Sequence, residues 1–287
     1  MQNNMDLELR ASVAGDEHGL APILHRAFSQ FNLSVGIPPH VDYGNVEIAK
    51  KVLHEMLQSP SSYGITAFDN ASGLPIGAAF LNFTGESVQA VGPVFVDPDW
   101  NNKGAGKALM NALIERAKAT NATSIRLVQI AANTQSFSLY AKLGFQPVEC
   151  ISYFEGSMDE NLHSGASFIP GFKVKMMEES DVHACSELHK SVLGHERETD
   201  IRELLQTNPG NSWVAVKDDI LQAYTTGFCL EGHSIAISED AFKTLFEVVL
   251  CEKRGCSMTI HIPGRIHPFL IDWALKRGLR LVRLRVY

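Results

Sequence analysis

The first half of the chain alternates between segments with strand periodicity and segments with helix periodicity. Apolar and polar residues alternate over residues 7–10, and a helix then opens at residues 16–18 and runs to about residue 28. The same periodicities predict the remaining elements of this half: a helix over 45–57, a hairpin with strands at 65–68 and 75–81, a strand over 89–96, a helix from residue 105, a strand over 124–130 and a helix over 135–143. Strands and helices therefore interleave along this half.

The second half of the chain repeats this order of elements. The predicted elements are a strand over 172–176, a helix that opens at residues 181–183, a hairpin with strands at 213–216 and 220–228, a short strand over 235–237, a helix that ends near residue 253, a strand over 258–262 and a helix over 267–276. A segment rich in Gly, Ser, Asn and His separates the halves. We therefore predict two domains, at 1–155 and 171–287, joined by a linker over 156–170.

The stretch from Val91 to Gly106 connects a predicted strand to a predicted helix through a loop that contains glycines. Pro98 ends the strand because proline cannot continue a hydrogen-bond ladder. The first N–H groups of a helix have no intrahelical partner, and the helix dipole adds partial positive charge there. Gly104 and Gly106 leave room for a ligand to approach the backbone, and Lys107 adds a charge. The stretch therefore predicts an anion site.

Two common phosphate-binding patterns do not fit this stretch. A Walker A loop needs a glycine four residues before Gly-Lys and a Ser or Thr after it, but that glycine is missing and Ala108 follows Lys107. A dinucleotide-binding fingerprint needs a third glycine where Leu109 stands. A different kind of phosphate-binding loop therefore remains as one interpretation, and a helix with a glycine N-cap that binds nothing as the other.

Two segments of the first half resemble the GNAT superfamily of N-acetyltransferases. Val96, Pro98, Gly104 and Gly106 fall on its motif A, approximately V-x-P-x-x-[RQ]-x-x-G-x-[GA], although Asn101 stands where the family usually has Arg or Gln. Residues 133–145 resemble the N…LY…LGF segment that closes the GNAT cofactor site. The two segments occur in the order that the family has, and the resemblance covers residues 7 to about 150.

The resemblance implies an α/β fold of the α+β GNAT type, in which helices flank a mixed, mostly antiparallel sheet. Because the second half repeats the element order, we expect two GNAT-like domains in tandem. In the second copy the glycine loop has become Ser238-Glu239-Asp240, whose carboxylates would repel a pyrophosphate, and Ala274 stands at the Tyr140 position. We therefore expect one acetyl-CoA site, in the first copy, and a degenerate second copy.

The resemblance also assigns roles to individual residues of the first half. Backbone groups of the strand before the loop would bind the thioester oxygen, at Val94, Phe95 and Val96. The pyrophosphate would bind the loop at Asn101, Asn102, Lys103, Gly104, Ala105, Gly106 and Lys107. Asn133 would contact the pantetheine arm, and Tyr140 would protonate the departing thiolate. A tyrosine on an apolar helix is otherwise a core residue, and that alternative stays open for Tyr140.

The acceptor side of the predicted site is less well defined. The resemblance makes His40 and Tyr43 substrate-site candidates because they lie in the loop over 35–44, between the first two helices. An ordinary surface loop is the alternative. No base is evident in the strand over 89–96, so Glu86 or Glu149 could act through a water molecule.

Composition narrows the class of protein further. The net charge of −7 and the pI near 5.9 give no basic field for nucleic acid or anionic membrane, and no apolar run approaches a membrane span. The five cysteines are odd in number and lack paired spacing, and residues 1–6 do not resemble a signal sequence, so we expect a cytoplasmic protein with reduced thiols. His183, Cys185 and His189 lie on one predicted helix without a further ligand, so we expect no metal.

Two functions remain open. The first is an N-acetyltransferase that transfers acetyl from acetyl-CoA to a primary amine of a small molecule or peptide, by direct attack in a ternary complex. The second is a non-catalytic acyl-CoA sensor in which the degenerate half transmits binding to a partner. Tyr140 favours the enzyme, because a sensor needs no acid for a thiolate. The sequence does not indicate the oligomeric state.

Overall fold

The computed structural model describes residues 7–83, 87–157, 169–228, 232–253, 256–265 and 268–287. The chain divides between Gln146 and Pro147 into two compact units. The elements of the first unit are β1 (Leu7–Ala11), α1 (Glu17–Ser34), α2 (Val46–Gln58), β2 (Ser62–Asp69), β3 (Pro75–Asn82), β4 (Val88–Val96), α3 (Ala105–Ala119), β5 (Ser124–Leu127), β6 (Gln129–Ile130) and α4 (Thr134–Lys142).

The sheet of the first unit has the strand order β1-β2-β3-β4-β5. Its neighbouring strands are antiparallel except for β4 and β5, which are parallel. The parallel pairing runs from Val88 opposite Ser124 to Val91 opposite Leu127 and goes no further among the described residues. Beyond that point β4 continues to Val96 along β3. The predicted strand over 124–130 is interrupted at Val128, and so forms two short strands.

Helices cover both faces of this sheet. On one face, α3 buries the positions that its periodicity predicted, among them Leu109 and Leu113, which are fully buried. On the other face, α1 and α2 enclose a second apolar core that includes Leu24 and Phe95. The alternation of β4 explains this division, because successive side chains of a strand point to opposite faces. Phe95 joins the core under α1, whereas Val94 and Val96 pack against the core under α3.

Helix α1 is longer than its periodicity predicted and continues to Ser34. Its last turns carry polar residues, which hide the helical pattern in the sequence. One of them, Asn32, is fully buried and donates a hydrogen bond from Nδ2 to Asp42 Oδ2 at 3.1 Å. The contact ties the end of α1 to the loop over 35–44.

The second unit repeats the element order of the first. Its elements are β7 (Cys150–Ser157), β8 (Phe172–Met176), α5 (Val182–Leu193), α6 (Glu198–Thr207), β9 (Trp213–Lys217), β10 (Ile220–Thr225), β11 (Ser234–Ala236), α7 (Glu239–Glu252), β12 (Ser257–Pro263), α8 (Pro268–Lys276) and β13 (Arg280–Val286). Strands β8 to β11 form an antiparallel sheet in the order β11-β10-β9-β8. The hairpin strand predicted over 220–228 ends at Thr225. The predicted linker overlaps residues 158–168, which lie outside the described residues, and it stays a prediction.

Strand β7 lies between β12 and β13 and is antiparallel to both. It begins before the predicted linker and includes its first two residues, yet its partners within the second unit come after the linker. One face of these strands carries Phe154, Ile260 and Ile262, which pack with α7 and α8 in an apolar core. Strand β7 is therefore part of the second unit's core.

Candidate active site

Strand β4 continues past the end of its described pairing with β5, at Val91 and Leu127, and this opening leads to a glycine loop. Asp97 donates its N–H to Ile76 O at 2.7 Å, so by alternation the N–H of Phe95 also points toward β3. The N–H groups of Val94 and Val96 then point away from β3, on the side where pairing with β5 has ended. Two neighbouring donors with this orientation can bind the carbonyl oxygen of a ligand that enters the opening. The N–H of Phe95 therefore does not face the opening, and its ring lies in the core under α1.

The loop after β4 leads directly to the N-terminus of α3. Asp97 Oδ1 accepts a hydrogen bond from the Asp99 N–H at 3.0 Å, which fixes the turn at residues 98–100. Asn102 and Gly104 have φ angles of 61° and 97°, and these left-handed conformations turn the chain into the helix. The first bond along the helix joins the Ala108 N–H to Gly104 O at 3.0 Å. The N–H groups of residues 105–107 precede that bond, as an anion site requires.

Arg26 of α1 forms ion pairs with the start of this loop, and sequence analysis did not identify it. Its Nη2 forms a close ion pair with Asp97 Oδ2, and its Nη1 lies 3.4 Å from Asp99 Oδ2. The arginine therefore offsets two carboxylates that stand next to the predicted pyrophosphate site. It lies 71 residues from Asp97 in the sequence, so no local pattern connects them.

The first turn of α4 lies against the loop. Asn133 caps α4, because its Oδ1 accepts the Ser136 N–H at 3.0 Å, and a pantetheine contact would therefore use its Nδ2. Gln135 donates from Nε2 to Asn102 Oδ1 at 2.9 Å, a contact that sequence analysis missed. A Cβ atom at Gly106 would lie 3.4 Å from Leu139 Cδ2, so α4 packs closely on the start of α3. Lys103 lies over the Trp100 ring at 4.6 Å from its centroid.

Tyr140 lies on α4 and is half-buried against the core under α3. Its ring makes an edge contact with Phe145, with centroids 6.0 Å apart. Burial raises the pKa of the Tyr140 hydroxyl to about 12, although the Ser136 side chain acts in the opposite direction. The hydroxyl is therefore protonated at neutral pH and can act as a proton donor.

The predicted acceptor residues have different environments. His40 is exposed in the loop between α1 and α2. Tyr43 is half-buried, packs edge-on against Phe28 at 4.8 Å between centroids, and has a φ angle of 47°. Glu86 lies outside the described residues. Glu149 belongs to the second unit, where its Oε1 accepts the Arg265 N–H at 2.9 Å.

At the corresponding helix N-terminus of the second unit, side chains of the helix itself occupy the place of an anionic ligand. Ser238 caps α7 by accepting the Ala241 N–H at 3.2 Å, and Glu239 and Asp240 occupy the first turn. Carboxylates in a first turn stabilise the helix, but they repel an anionic ligand. Ala274, at the position aligned with Tyr140, is fully buried in an apolar core.

The described residues give no indication of a metal or of a membrane span. None of their His, Cys, Asp and Glu side chains form a group of three or more with a geometry that could hold a metal ion. Within the same residues, no helix is long and apolar enough to cross a membrane. The histidines and cysteine that share α5 diverge, because His183 pairs with Glu198 at 3.0 Å at the surface while Cys185 and His189 are buried.

Comparison with known proteins identifies a family model that part of the chain matches and solved structures with a similar fold. Residues 34–145 match the model of the acetyltransferase (GNAT) family. No curated protein sequence matches the chain. A provisionally assigned acetyltransferase of Pyrococcus horikoshii is 14% identical with a TM-score of 0.69, over 98% of this chain and 87% of that one. A GCN5-related N-acetyltransferase of Sphaerobacter thermophilus is 16% identical with a TM-score of 0.64, over 98% and 94%.

A third solved structure bears on the repeat. A tandem GNAT protein of the clavulanic acid biosynthesis pathway is 17% identical with a TM-score of 0.59, over 98% of this chain and 97% of that one. Identities this low show the fold alone. The chain has two GNAT-like folds in tandem, as its sequence predicted. The resemblance to the GNAT family is confirmed as well, since the first unit contains the residues that match the family model.

Proposed function

We propose that the chain is an acetyl-CoA-dependent N-acetyltransferase that acts on a primary amine of a small molecule or peptide. The observation that supports this most is the end of β4, where the strand continues past its pairing with β5 and leads into the start of α3. Among the described residues no backbone partner is found there for the N–H groups of Val94 and Val96 or for the first N–H groups of α3, and α4, which carries the protonated Tyr140, packs on the start of α3. No single one of these features requires acetyl-CoA. Together they match the three parts of an acyl-CoA thioester that need a partner, namely the carbonyl, the pyrophosphate and the leaving sulfur.

Each part of the site would act at a separate point of the reaction. The N–H groups of Val94 and Val96 would stabilise the oxyanion that forms when the amine attacks the thioester carbon. The N–H groups of residues 105–107 would bind the pyrophosphate. Tyr140 would donate its proton to the thiolate as the C–S bond breaks. Attack in a ternary complex needs no covalent enzyme intermediate.

The alternative function is an acyl-CoA sensor without turnover. Such a protein needs the phosphate loop and the strand edge, but it does not need a tyrosine hydroxyl beside the sulfur. The position of Tyr140 on α4, which packs on the start of α3, therefore supports the enzyme.

A panel of amines, assayed for release of free thiol from acetyl-CoA, tests the proposal. We expect turnover with at least one amine and one acetyl-CoA site per chain by calorimetry. Gly104→Glu should abolish both, because the left-handed φ of 97° strains any side chain and the new carboxylate repels the pyrophosphate.

Gly73→Glu is a matched control for that substitution. Gly73 also has a left-handed φ, of 67°, but it lies in the turn between β2 and β3 with open space around it. The control variant should therefore bind acetyl-CoA normally. Two equivalent sites per chain would contradict the asymmetry between the units, and binding without turnover of any amine would favour the sensor.

A further inference from the structure

The first unit contains an imidazole beside the predicted acceptor loop that the proposed function does not yet use. His25 of α1 is half-buried, and its Nδ1 lies 2.7 Å from the carbonyl oxygen of Tyr43. A carbonyl oxygen only accepts, so Nδ1 must carry the proton of that hydrogen bond. The Ser29 hydroxyl, 3.2 Å from the same nitrogen, lies beside this bond. In the neutral ring Nε2 therefore has the lone pair, which is the form that a general base needs.

His25 belongs to the turn of α1 that faces the end of β4. Its neighbour Arg26 forms the ion pair with Asp97, the first residue after β4. Its other neighbour, Leu24, lies in the same buried core as Phe95 of β4. The ion pair and the shared core place this turn of the helix beside the end of β4, the strand whose N–H groups at Val94 and Val96 point away from β3.

The proposed reaction needs a base at this place. A primary amine is mostly protonated at neutral pH, and only the neutral form can attack a thioester. Strand β4 contains no carboxylate and no imidazole. The nearest carboxylates after it, Asp97 and Asp99, are both in contact with Arg26. An imidazole whose tautomer is fixed meets the requirement better than these paired acids.

We propose that His25 is the general base of the acetyl transfer, an inference that rests on the proposed function. Nε2 takes one proton from the acceptor ammonium, directly or through one water. The neutral nitrogen then forms the C–N bond to the acetyl carbon as the C–S bond breaks, and the thiolate takes the proton of Tyr140. The second proton of the nitrogen leaves to solvent, which reprotonates Tyr140, and His25 then releases its own proton to solvent. The net products are therefore the amide, the free thiol and one proton.

This assignment also gives Tyr43 a function through its main chain. Its φ of 47° is a left-handed conformation, and its carbonyl oxygen accepts the hydrogen bond from His25. The loop over 35–44 would thus orient the base, and Tyr43 would be a positioning residue. Its ring packs against Phe28.

The substitution His25→Asn removes the basic nitrogen but keeps a donor for the hydrogen bond to Tyr43. The asparagine Nδ2 can still donate to the Tyr43 carbonyl, but the side chain offers no basic nitrogen. We expect turnover near neutral pH to fall roughly 100-fold, the usual scale for a general base, with acetyl-CoA affinity within a few-fold of the wild type. The loss should shrink as the pH rises toward the pKa of the amine, because the substrate then deprotonates without help.

The pH–rate profile supplies the second readout. The wild type should lose activity on the acid side, and the variant should lack that limb, because only the wild type has a basic nitrogen at this position. His18→Asn is the matched control, because His18 is an exposed histidine two turns earlier on the same helix, and its rate and profile should match those of the wild type.

Three outcomes would overturn the assignment in different ways. An active wild type with an unchanged rate and acid limb in His25→Asn would show that another group is the base. An equal loss of acetyl-CoA affinity and turnover in that variant would show a structural role. A wild type that turns over no amine would overturn the proposed function and, with it, this inference.

Discussion

Tyr140 shows how the environment of a single side chain limits its chemistry. A phenol with a pKa of about 12 is a weak acid, yet it is fully protonated at the pH where an acetyl transfer would run. It can therefore donate only to a base that becomes strong during the reaction. The thiolate that leaves as the C–S bond breaks can take this proton only if it forms within hydrogen-bond distance of the hydroxyl.

Tyr140→Phe tests this role, because phenylalanine keeps the ring and its packing. We expect acetyl-CoA affinity within a few-fold of the wild type and turnover lower by roughly 100-fold, since the hydroxyl acts only in the transition state. The loss should be smaller for a thioester with a better leaving group. Thiol release and calorimetry on the same variant measure the two effects.

A second tyrosine provides the comparison. Tyr63 of β2 packs against the same core and under the Arg116 guanidinium, away from the loop, so Tyr63→Phe should leave turnover unchanged. Near-normal turnover in Tyr140→Phe with any amine that the wild type uses would return Tyr140 to a packing role and leave the acid unidentified.

The residue scale also shows where sequence reasoning stops. Asn133 and Tyr140 could be named because they stand in one short motif with fixed spacing. His25, Arg26 and Gln135 could not, because their partners lie 18, 71 and 33 residues away along the chain. A histidine that donates to a distant carbonyl has no local signature, and only the fold brings the pair together.

At the scale of elements, the phosphate loop depends on a helix that does not contain it. The loop begins with Asp97, which caps the following turn and is held by Arg26 from α1. Without that cation, the carboxylates of Asp97 and Asp99 would lie unpaired beside the site for a pyrophosphate. The arginine thus has both a structural and an electrostatic effect on the loop.

Arg26→Met removes the charge and keeps most of the side-chain length. We expect acetyl-CoA affinity to fall about 3- to 10-fold, a modest loss because the ion pairs are partly exposed and solvent screens them. Calorimetry at two salt concentrations measures it, and the loss should be smaller at high salt. Lys118→Met, which breaks an exposed ion pair with Glu115 at the other end of α3, should change nothing. Equal affinities would show that the loop keeps its conformation and charge without Arg26.

Element prediction succeeded where one face of an element is buried and the other is not. Helix α3 and the strands of the first sheet have that contrast, so their periodicity could be recognised in the sequence. Strand β7 was missed because residues 151–154 are all buried, which removes the alternation on which strand recognition depends. Helix α6 was missed for the opposite reason, since charged and polar residues fill most of it and Ile201 is its one fully buried apolar residue among those described.

At the scale of the whole chain, the second unit contains a polar cluster in its interior that could not be recognised from separate histidines. His189 and His195 are buried, and their rings lie 4.6 Å apart. His233 packs edge-on against His189 and Tyr224, with its Nδ1 3.3 Å from Thr226 Oγ1. Burial holds the pKa of His233 well below its usual range, and the nearby Arg197 acts in the same direction.

This cluster predicts a loss of stability in mild acid. A histidine that is neutral when folded and has an ordinary pKa near 6.5 when unfolded takes up a proton on unfolding once the pH falls below about 6.5. The stability is therefore present above that pH and is lost below it. Between pH 6.5 and pH 5.5 we expect the free energy of unfolding to fall by about 1 kcal/mol from this group.

Urea denaturation of the chain at several pH values measures this dependence. His233→Gln should flatten it, because glutamine does not titrate, and the exposed His18→Gln should leave it as in the wild type. A pH dependence that is the same in His233→Gln and the wild type would show that other groups are responsible.

The position of β7 has a consequence for how the protein is made. Ser157 pairs with Ser257, so the strand is synthesised 100 residues before that partner (257 − 157) and longer before β13. At roughly 5–20 residues per second, a ribosome needs about 5–20 s to produce the intervening chain. During that interval both edges of an apolar strand lack their partners, and such edges are templates for association between nascent chains. Closing so long a loop is also slow. We therefore expect the yield of native protein to depend on chaperones that shield this segment during translation, more than the equilibrium stability of the finished fold would suggest.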